Sequence, residues 1–351
     1  MLDSDLVRSL PKVVLHDHLD GGLRVQTVLE LAREIDLVLP ADDPSGLSQW
    51  FYDAANSGSL PRYLETFQIT VALMQSPQAL RRIAYECVED LVADGVVYAE
   101  VRWAPELHLH NMEPREAVAA VWEGLQEGMR AMAAAGHVIH VRQILTALRH
   151  HPPSTQTAQL VIDCADLGVV GYDIAGPEAG YRATVFREST DLLRKSGCHI
   201  TIHAGEGYGP ESIQDAINCG AERIGHGVRI IEDGSPLPGS TRRQILDRDI
   251  LLEVCPTSNL QTGIASSIFE HPVDRLVSAG FRVGINCDNR LMSRTSLTRE
   301  LLLLHDAFQW DLLRIEEVTV AAMESAFCAE ALKAELIRDV IQPAFAAFTD
   351  C

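Results

Sequence analysis

Short apolar runs recur along this chain. Each is followed by a polar turn and then by a longer stretch with apolar residues every three to four positions, the alternation expected of βα units. The runs that read as strands are VVLHDH (13–18), VVYAEVRW (96–103), HVIHVRQILTA (137–147), VVGYDIA (169–175), HITIHA (199–204), RIGHG (223–227), LLEVCP (251–256) and RVGINCD (282–288). Ser76 with Pro77 and, separately, Pro114 have the chemistry of helix starts, and Gly95 and Gly136 stand where helices close. From the fourth run onward the units repeat every 24 to 32 residues or so, a normal spacing for an eight-fold barrel. The pattern predicts an α/β fold, a (β/α)8 TIM barrel with residues 1–351 as a single domain. It adds an insertion over 37–76 after the first strand, in a position to act as a lid, and extra helices over 296–347. A doubly wound open sheet is the alternative, but no GxGxxG follows the first strand as dinucleotide binding there would require.

Composition narrows the class. Apolar residues make up 47% of the 351 and aromatics 6%, ample for a large aliphatic core that needs no disulfide staples. With 29 basic and 49 acidic residues the formal charge is −20, spread without long acidic blocks, which argues against binding to nucleic acid or to anionic membrane. The eight cysteines form no CxxC pair and sit mostly inside apolar runs, as buried reduced thiols do. The N-terminal residues have no basic-then-apolar arrangement, and no stretch approaches the roughly 18 apolar residues of a membrane span. These features predict a cytoplasmic protein.

The polar residues that interrupt the apolar runs collect at their C-terminal ends, where barrel enzymes keep their sites. The first run ends in His16, His18 and Asp20, the fifth in His203 and Glu206, the sixth in His226 and the eighth in Asp288 and Asn289. His16 and His18 are two apart, so on a strand both face one side while Asp17 faces the other. Two such imidazoles suit one ion, and His203 with Asp288 could complete a shell of three nitrogens and one oxygen. A lone HxH is weak evidence: His108 and His110 form a second one, past Pro105 and outside the strand, and read as structural. Glu206 is either a carboxylate at the start of the helix that Pro210 opens, or a partly desolvated carboxyl beside the ion that can donate a proton. His226, between glycines, is a candidate for orienting water.

LPKVVLHDHLDGGL, SLPRYLETF, GVVYAEVRWAPEL, DIAGPE, HAGE, RIGHG, EVCPTSN and NCDNRLMS occur in this order over nearly the whole chain. Together they resemble the successive blocks of the adenosine deaminase family, whose fold is an eight-fold barrel. The resemblance implies that His16, His18, His203 and Asp288 hold one zinc ion per chain. It makes Glu206 the donor of a proton to N1 of the purine and, with Asp288, makes His226 the group that positions the attacking hydroxide. It further implies that Asp20 receives the ribose hydroxyl, that His18 also contacts the substrate, that the Gly176 N–H meets N3, and that Leu60, Leu64 and Phe67 cover the nucleoside. Asn289 departs from the family's usual second aspartate, but its amide can donate to N7 without a protonated carboxyl. Arg290 stands where a proline often follows.

The expected reaction is hydrolytic deamination of adenosine to inosine and ammonia in purine salvage, with 2′-deoxyadenosine as a further expected substrate. Binuclear hydrolases on this barrel use a bridging lysine, but Lys12, Lys195 and Lys333 all lie away from strand C-termini, which also excludes a Schiff-base lyase. The HxE and PCxxC arrangement of cytidine-type deaminases is absent. Adenine, a larger adenosine derivative, or a non-catalytic nucleoside-binding role remain the alternatives, and Asp20 favours a ribose-bearing substrate.

Overall fold

The computed structural model describes residues 2–57, 63, 66–235 and 237–349. Eight strands run parallel in sequence order: β1 (Lys12–His18), β2 (Val96–Trp103), β3 (His140–Leu148), β4 (Val169–Ala175), β5 (His199–Ala204), β6 (Arg223–His226), β7 (Leu251–Val254) and β8 (Val283–Ile285). Helices such as Pro77–Ala93, Pro114–Ala134 and Pro210–Asn218 return the chain between them. The nearly closed barrel is the one expected from the apolar runs.

The strands differ from the runs at their ends, for identifiable reasons. β3 begins at His140 rather than 137, because the His137 N–H is used by Met132 O (2.9 Å) to finish the preceding helix past Gly136. The last three strands end early. His226 (φ 61°) and Asp288 (φ 60°) take left-handed conformations that break the ladder and turn the chain at the site. Non-glycine residues pay strain there, and such outliers gather at functional positions.

The seam between β8 and β1 is thin. One parallel bridge joins Asp17 to Asp288, with His18 N–H donating to Asp288 O (2.7 Å) and Asp288 N–H to His16 O (3.0 Å). Below it the Asn286 side chain replaces the missing ladder, its Oδ1 accepting from Leu15 N–H (2.7 Å) and His16 N–H (2.9 Å).

Aliphatic residues such as Val14, Leu145 and Ile202 fill the core, but charged side chains are buried with them. Glu253 on β7 accepts from Arg102 (2.7 Å) and Arg223 (2.7 Å), and Arg223 also reaches Glu100 (2.6 Å). Each charge is matched, which is the condition for burying it at all. After β1 the chain forms helices Val25–Glu34, Pro44–Ala55 and Phe67–Leu73 before reaching β2. After β8 it continues through helices Leu297–Phe308, Leu312–Glu324 and Glu330–Glu335 to its last turns. Among the described residues no helix is long and apolar enough to cross a membrane.

Candidate active site

The strand ends place four donors around one point. His18 Nε2 lies 3.2 Å from His203 Nε2 and 3.4 Å from Asp288 Oδ1, and His16 Nε2 lies 3.3 Å from that same oxygen. All four ligand atoms fall within 4.8 Å of one another. Tetrahedral donors each about 2.0 Å from an ion stand about 3.3 Å apart, so the spacing matches a metal's coordination shell.

The outer nitrogens show which way the lone pairs face. His16 Nδ1 is bonded to Glu253 Oε2 (2.9 Å) and His203 Nδ1 to Asp173 Oδ1 (3.0 Å). Carboxylates only accept, so those nitrogens carry the protons and both Nε2 atoms point bare lone pairs inward. His16 Nε2 is fully buried and has no hydrogen-bond partner, a state that a cation at the centre resolves. Burial also lowers all three imidazole pKa values, to about 4 for His18 and for His203, which keeps them neutral and ready to ligate at neutral pH. The fourth donor, Asp288, is fixed by Ser258 Oγ, which donates to Oδ2 at 2.6 Å.

Two further titratable groups face this cluster. Burial pushes the Glu206 carboxyl up to about 7, overcoming the opposing pull of His226. Its Oε2 lies 3.5 Å from His226 Nε2, and its Oε1 accepts from Thr262 Oγ1 at 3.1 Å. Asn259 Nδ2 donates to His226 Nδ1 (3.1 Å), which puts the ring proton on Nε2, facing Glu206. The turn that carries Glu206 is clamped from below, because Glu178 accepts from the backbone N–H groups of Gly205, Glu206 and Gly207 at 2.8 to 2.9 Å.

The cluster opens into a cavity of about 530 Å³, within the usual size for small-molecule sites. Asp20, Gly176 and Asn289 line it, as do Tyr63 and Phe67 from the segment after β1. Gly176 has φ +98°, and a Cβ there would sit 2.9 Å from His150 Nδ1, so the position requires glycine. Gly21 is equally tight: a Cβ would fall 1.8 Å from Asn289 Oδ1. Leu60 and Leu64 lie outside the described residues.

Several contributors went unassigned in the sequence. Asp173 and Glu178 stand inside DIAGPE, and Ser258 and Asn259 inside CPTSN, but nothing in the motifs says which partner each meets. Glu253 carried a signal of its own: a carboxylate in the middle of an apolar strand needs a buried partner. Arg290 acquires a reason as well. It pairs with the buried Asp17 on the face of β1 away from the donors (2.9 Å), and Gly22 leaves it room, since a Cβ there would lie 2.7 Å from its guanidinium.

Neutral imidazoles and one carboxylate converging at the strand ends of a parallel barrel place the protein among the metal-dependent hydrolases of the amidohydrolase superfamily. Residues 11–343 match the adenosine deaminase family profile, and the chain belongs to that family. It is 50% identical to the adenosine deaminase of Mycobacterium leprae over 97% of this chain and 96% of that protein. It is 50% identical to adenosine deaminase 1 of Streptomyces coelicolor over 97% of this chain and 89% of that one. Among solved structures, Arabidopsis ADAL complexed with IMP superposes with a TM-score of 0.83 at 27% identity, over 98% of this chain and 99% of that one. An adenine deaminase from Arthrobacter aurescens shares the fold, with a TM-score of 0.84 at 20% identity over 97% of this chain and all of that one.

Proposed function

We propose that the protein hydrolyses the C6–amine bond of adenosine, releasing inosine and ammonia in purine salvage, with the whole chain acting as one catalytic unit in the cytoplasm. The observation that carries this is a buried carboxyl, Glu206, whose pKa is raised to about 7 in a nucleoside-sized cavity beside the four-donor cluster. Close identity to adenosine deaminases supports the substrate. IMP in the related Arabidopsis protein supports a purine ligand.

The donor set of three imidazoles and one carboxylate suits a single zinc ion, which His16, His18, His203 and Asp288 would hold and which would lower the pKa of a water to about 7, supplying hydroxide at neutral pH. The chain's own groups do the rest. Glu206, protonated below about pH 7, donates to N1 of the purine, drawing electron density from the neighbouring C6 and opening it to attack. His226 holds its Nε2–H toward the site through Asn259 and orients the attacking water, with Asp288 on the other side. Ammonia leaves as the C6–N bond breaks, with the added oxygen retained on C6.

Recognition follows from the lining. The Gly176 N–H meets N3, the Asn289 amide donates to N7, and Asp20 with His18 borders the ribose and accepts one of its hydroxyls. Tyr63 and Phe67 wall the cavity from the insertion, supporting a lid formed by residues 37–76 that excludes bulk water. 2′-Deoxyadenosine is a second substrate in this scheme.

The test is direct. Metal-loaded protein should contain about one zinc per chain and convert adenosine to inosine with stoichiometric ammonia. Turnover of adenine far exceeding that of adenosine would refute the nucleoside assignment.

A further inference from the structure

His108 is fully buried, and neither of its ring nitrogens has a hydrogen-bond partner. Buried polar atoms are rarely left so, and a pair of them on one ring calls for a reason. The nearest charged group is Asp20: His108 Nε2 lies 3.7 Å from its Oδ2. The other carboxylate oxygen, Oδ1, also lacks a partner and sits 3.8 Å from His18 Nδ1. Asp20 lines the cavity and His108 does not, so the imidazole stands behind the carboxylate as seen by a ligand. A short 3-10 turn, Pro105–Leu107, brings His108 there, with its N–H bonded to Pro105 O (3.0 Å) and its ring 5.5 Å from that of Trp103.

We propose that His108 is a positioning residue that donates Nε2–H to Asp20 and so aims the carboxylate at a sugar hydroxyl. This rests on the reading of Asp20 as the acceptor of a ribose hydroxyl. A carboxylate with one oxygen engaged by substrate needs a donor on the other, or it remains half desolvated and free to swing. The 3.7 Å gap is too short for a bridging water and about half an ångström beyond a direct hydrogen bond, a distance that a small side-chain rotation closes. Hydrogen bonds of this kind often tighten only when the substrate is in place. The histidine acts at the sugar end, away from C6, so its effect is on binding and orientation.

The experiment compares kcat/KM for adenosine with that for 2′-, 3′- and 5′-deoxyadenosine in the metal-loaded full chain. The wild-type enzyme should favour adenosine over one of the three, identifying the hydroxyl that Asp20 accepts. Asp20→Asn should erase that preference, and His108→Leu should reduce it about tenfold through KM, with the other two ratios unchanged. His108→Gln, which keeps an N–H donor at similar reach, should retain most of it. Loss of activity on all substrates in equal proportion in His108→Leu, beside a selective loss in Asp20→Asn, would show a merely structural histidine and overturn the inference. If Asp20→Asn leaves all three ratios intact, the reading of Asp20 itself is wrong and His108 has nothing to position. Should His108→Leu not fold, nitrogen-15 histidine spectra of the wild-type protein decide. A His108 N–H proton that shifts downfield when purine riboside binds, but not with its matching deoxy analogue, supports the contact, and identical shifts with both overturn it.

Discussion

The carboxylate of Glu178 accepts the backbone N–H of Glu206 at 2.8 Å, and so grips from beneath the turn on which the site's upward-shifted carboxyl is mounted. With Gly205 and Gly207 held by the same group, the turn has three fixed points and Glu206 little freedom to leave the cavity. Glu178→Gln replaces one accepting oxygen with an amide that cannot accept, and an ångström of displacement at a reacting group costs about a hundredfold. The variant should keep its metal and lose about that much in kcat. Since the Glu178 charge also helps raise the Glu206 pKa, the falling limb of its pH profile should move to lower pH. An unchanged kcat would show that the clamp is dispensable.

Glu206 sets the pH dependence. A carboxyl raised to about 7 is protonated below that pH and ionised above it, so a reaction that needs its proton loses rate as pH rises through about 7. The kcat/KM profile for adenosine should therefore fall on its alkaline side near that value. Thr262→Val removes a hydroxyl that stabilises the ionised form, and should move the same limb upward. Glu206→Gln should hold zinc normally and lose a factor of about 100 to 10,000 in kcat. A Gln variant near wild-type rate would eliminate Glu206 as proton donor.

Asp173 fixes the ring of His203 without being one of the four candidate donors. Replacing such an outer carboxylate typically costs about 10- to 100-fold in metal affinity, because ring orientation and basicity are both lost. Competition with a chelator should show a loss of this size for Asp173→Asn, while His203→Ala removes a donor outright and should lose far more. Equal affinities for Asp173→Asn and wild type would mean that packing alone orients the ring.

Gly21→Ala is a one-methyl test of Asn289. Its Cβ would fall 1.8 Å from the amide oxygen, forcing the side chain out of place although neither residue is a metal ligand. KM for adenosine should rise about tenfold, with bound zinc unchanged, the size expected for losing one well-placed hydrogen bond. For 7-deazaadenosine, which has no N7 acceptor, the substitution should matter little. Equal losses on both nucleosides would mean that Asn289 does not read N7.

Much of this architecture was legible from apolar periodicity, because a parallel strand covered on both faces must read as a nearly unbroken apolar run. β2, β4 and β5 coincide with their runs for that reason. The ends of β6 and β8 were overrun because period alone cannot register the left-handed turns at His226 and Asp288, and the end of β7 because a helix opens at Pro256, two residues past Val254. The donors His16 and His18 announced themselves through i, i+2 spacing on a strand. Their supporting carboxylates did not, since Glu253 and Asp173 meet histidines of other strands only after the barrel closes. In the sequence His108 and His110 read alike, as an off-strand pair. The two then part: His110 is exposed and His108 is buried against Asp20, a difference fixed by the turn after Pro105.

The thin seam between the first and last strands changes what the ion does for the molecule. Asp288 supplies both the backbone bridge to Asp17 and one of the four donors, while His16 and His18 sit on the opposite lip and His203 across the lumen. A bound cation is thus a rivet through the weakest join in the staves. Emptying it should let amide protons of residues 15–18 and 286–288 exchange sooner than those of the continuous ladders on the far side, tying the enzyme's mechanical integrity to the atom that makes it chemically competent.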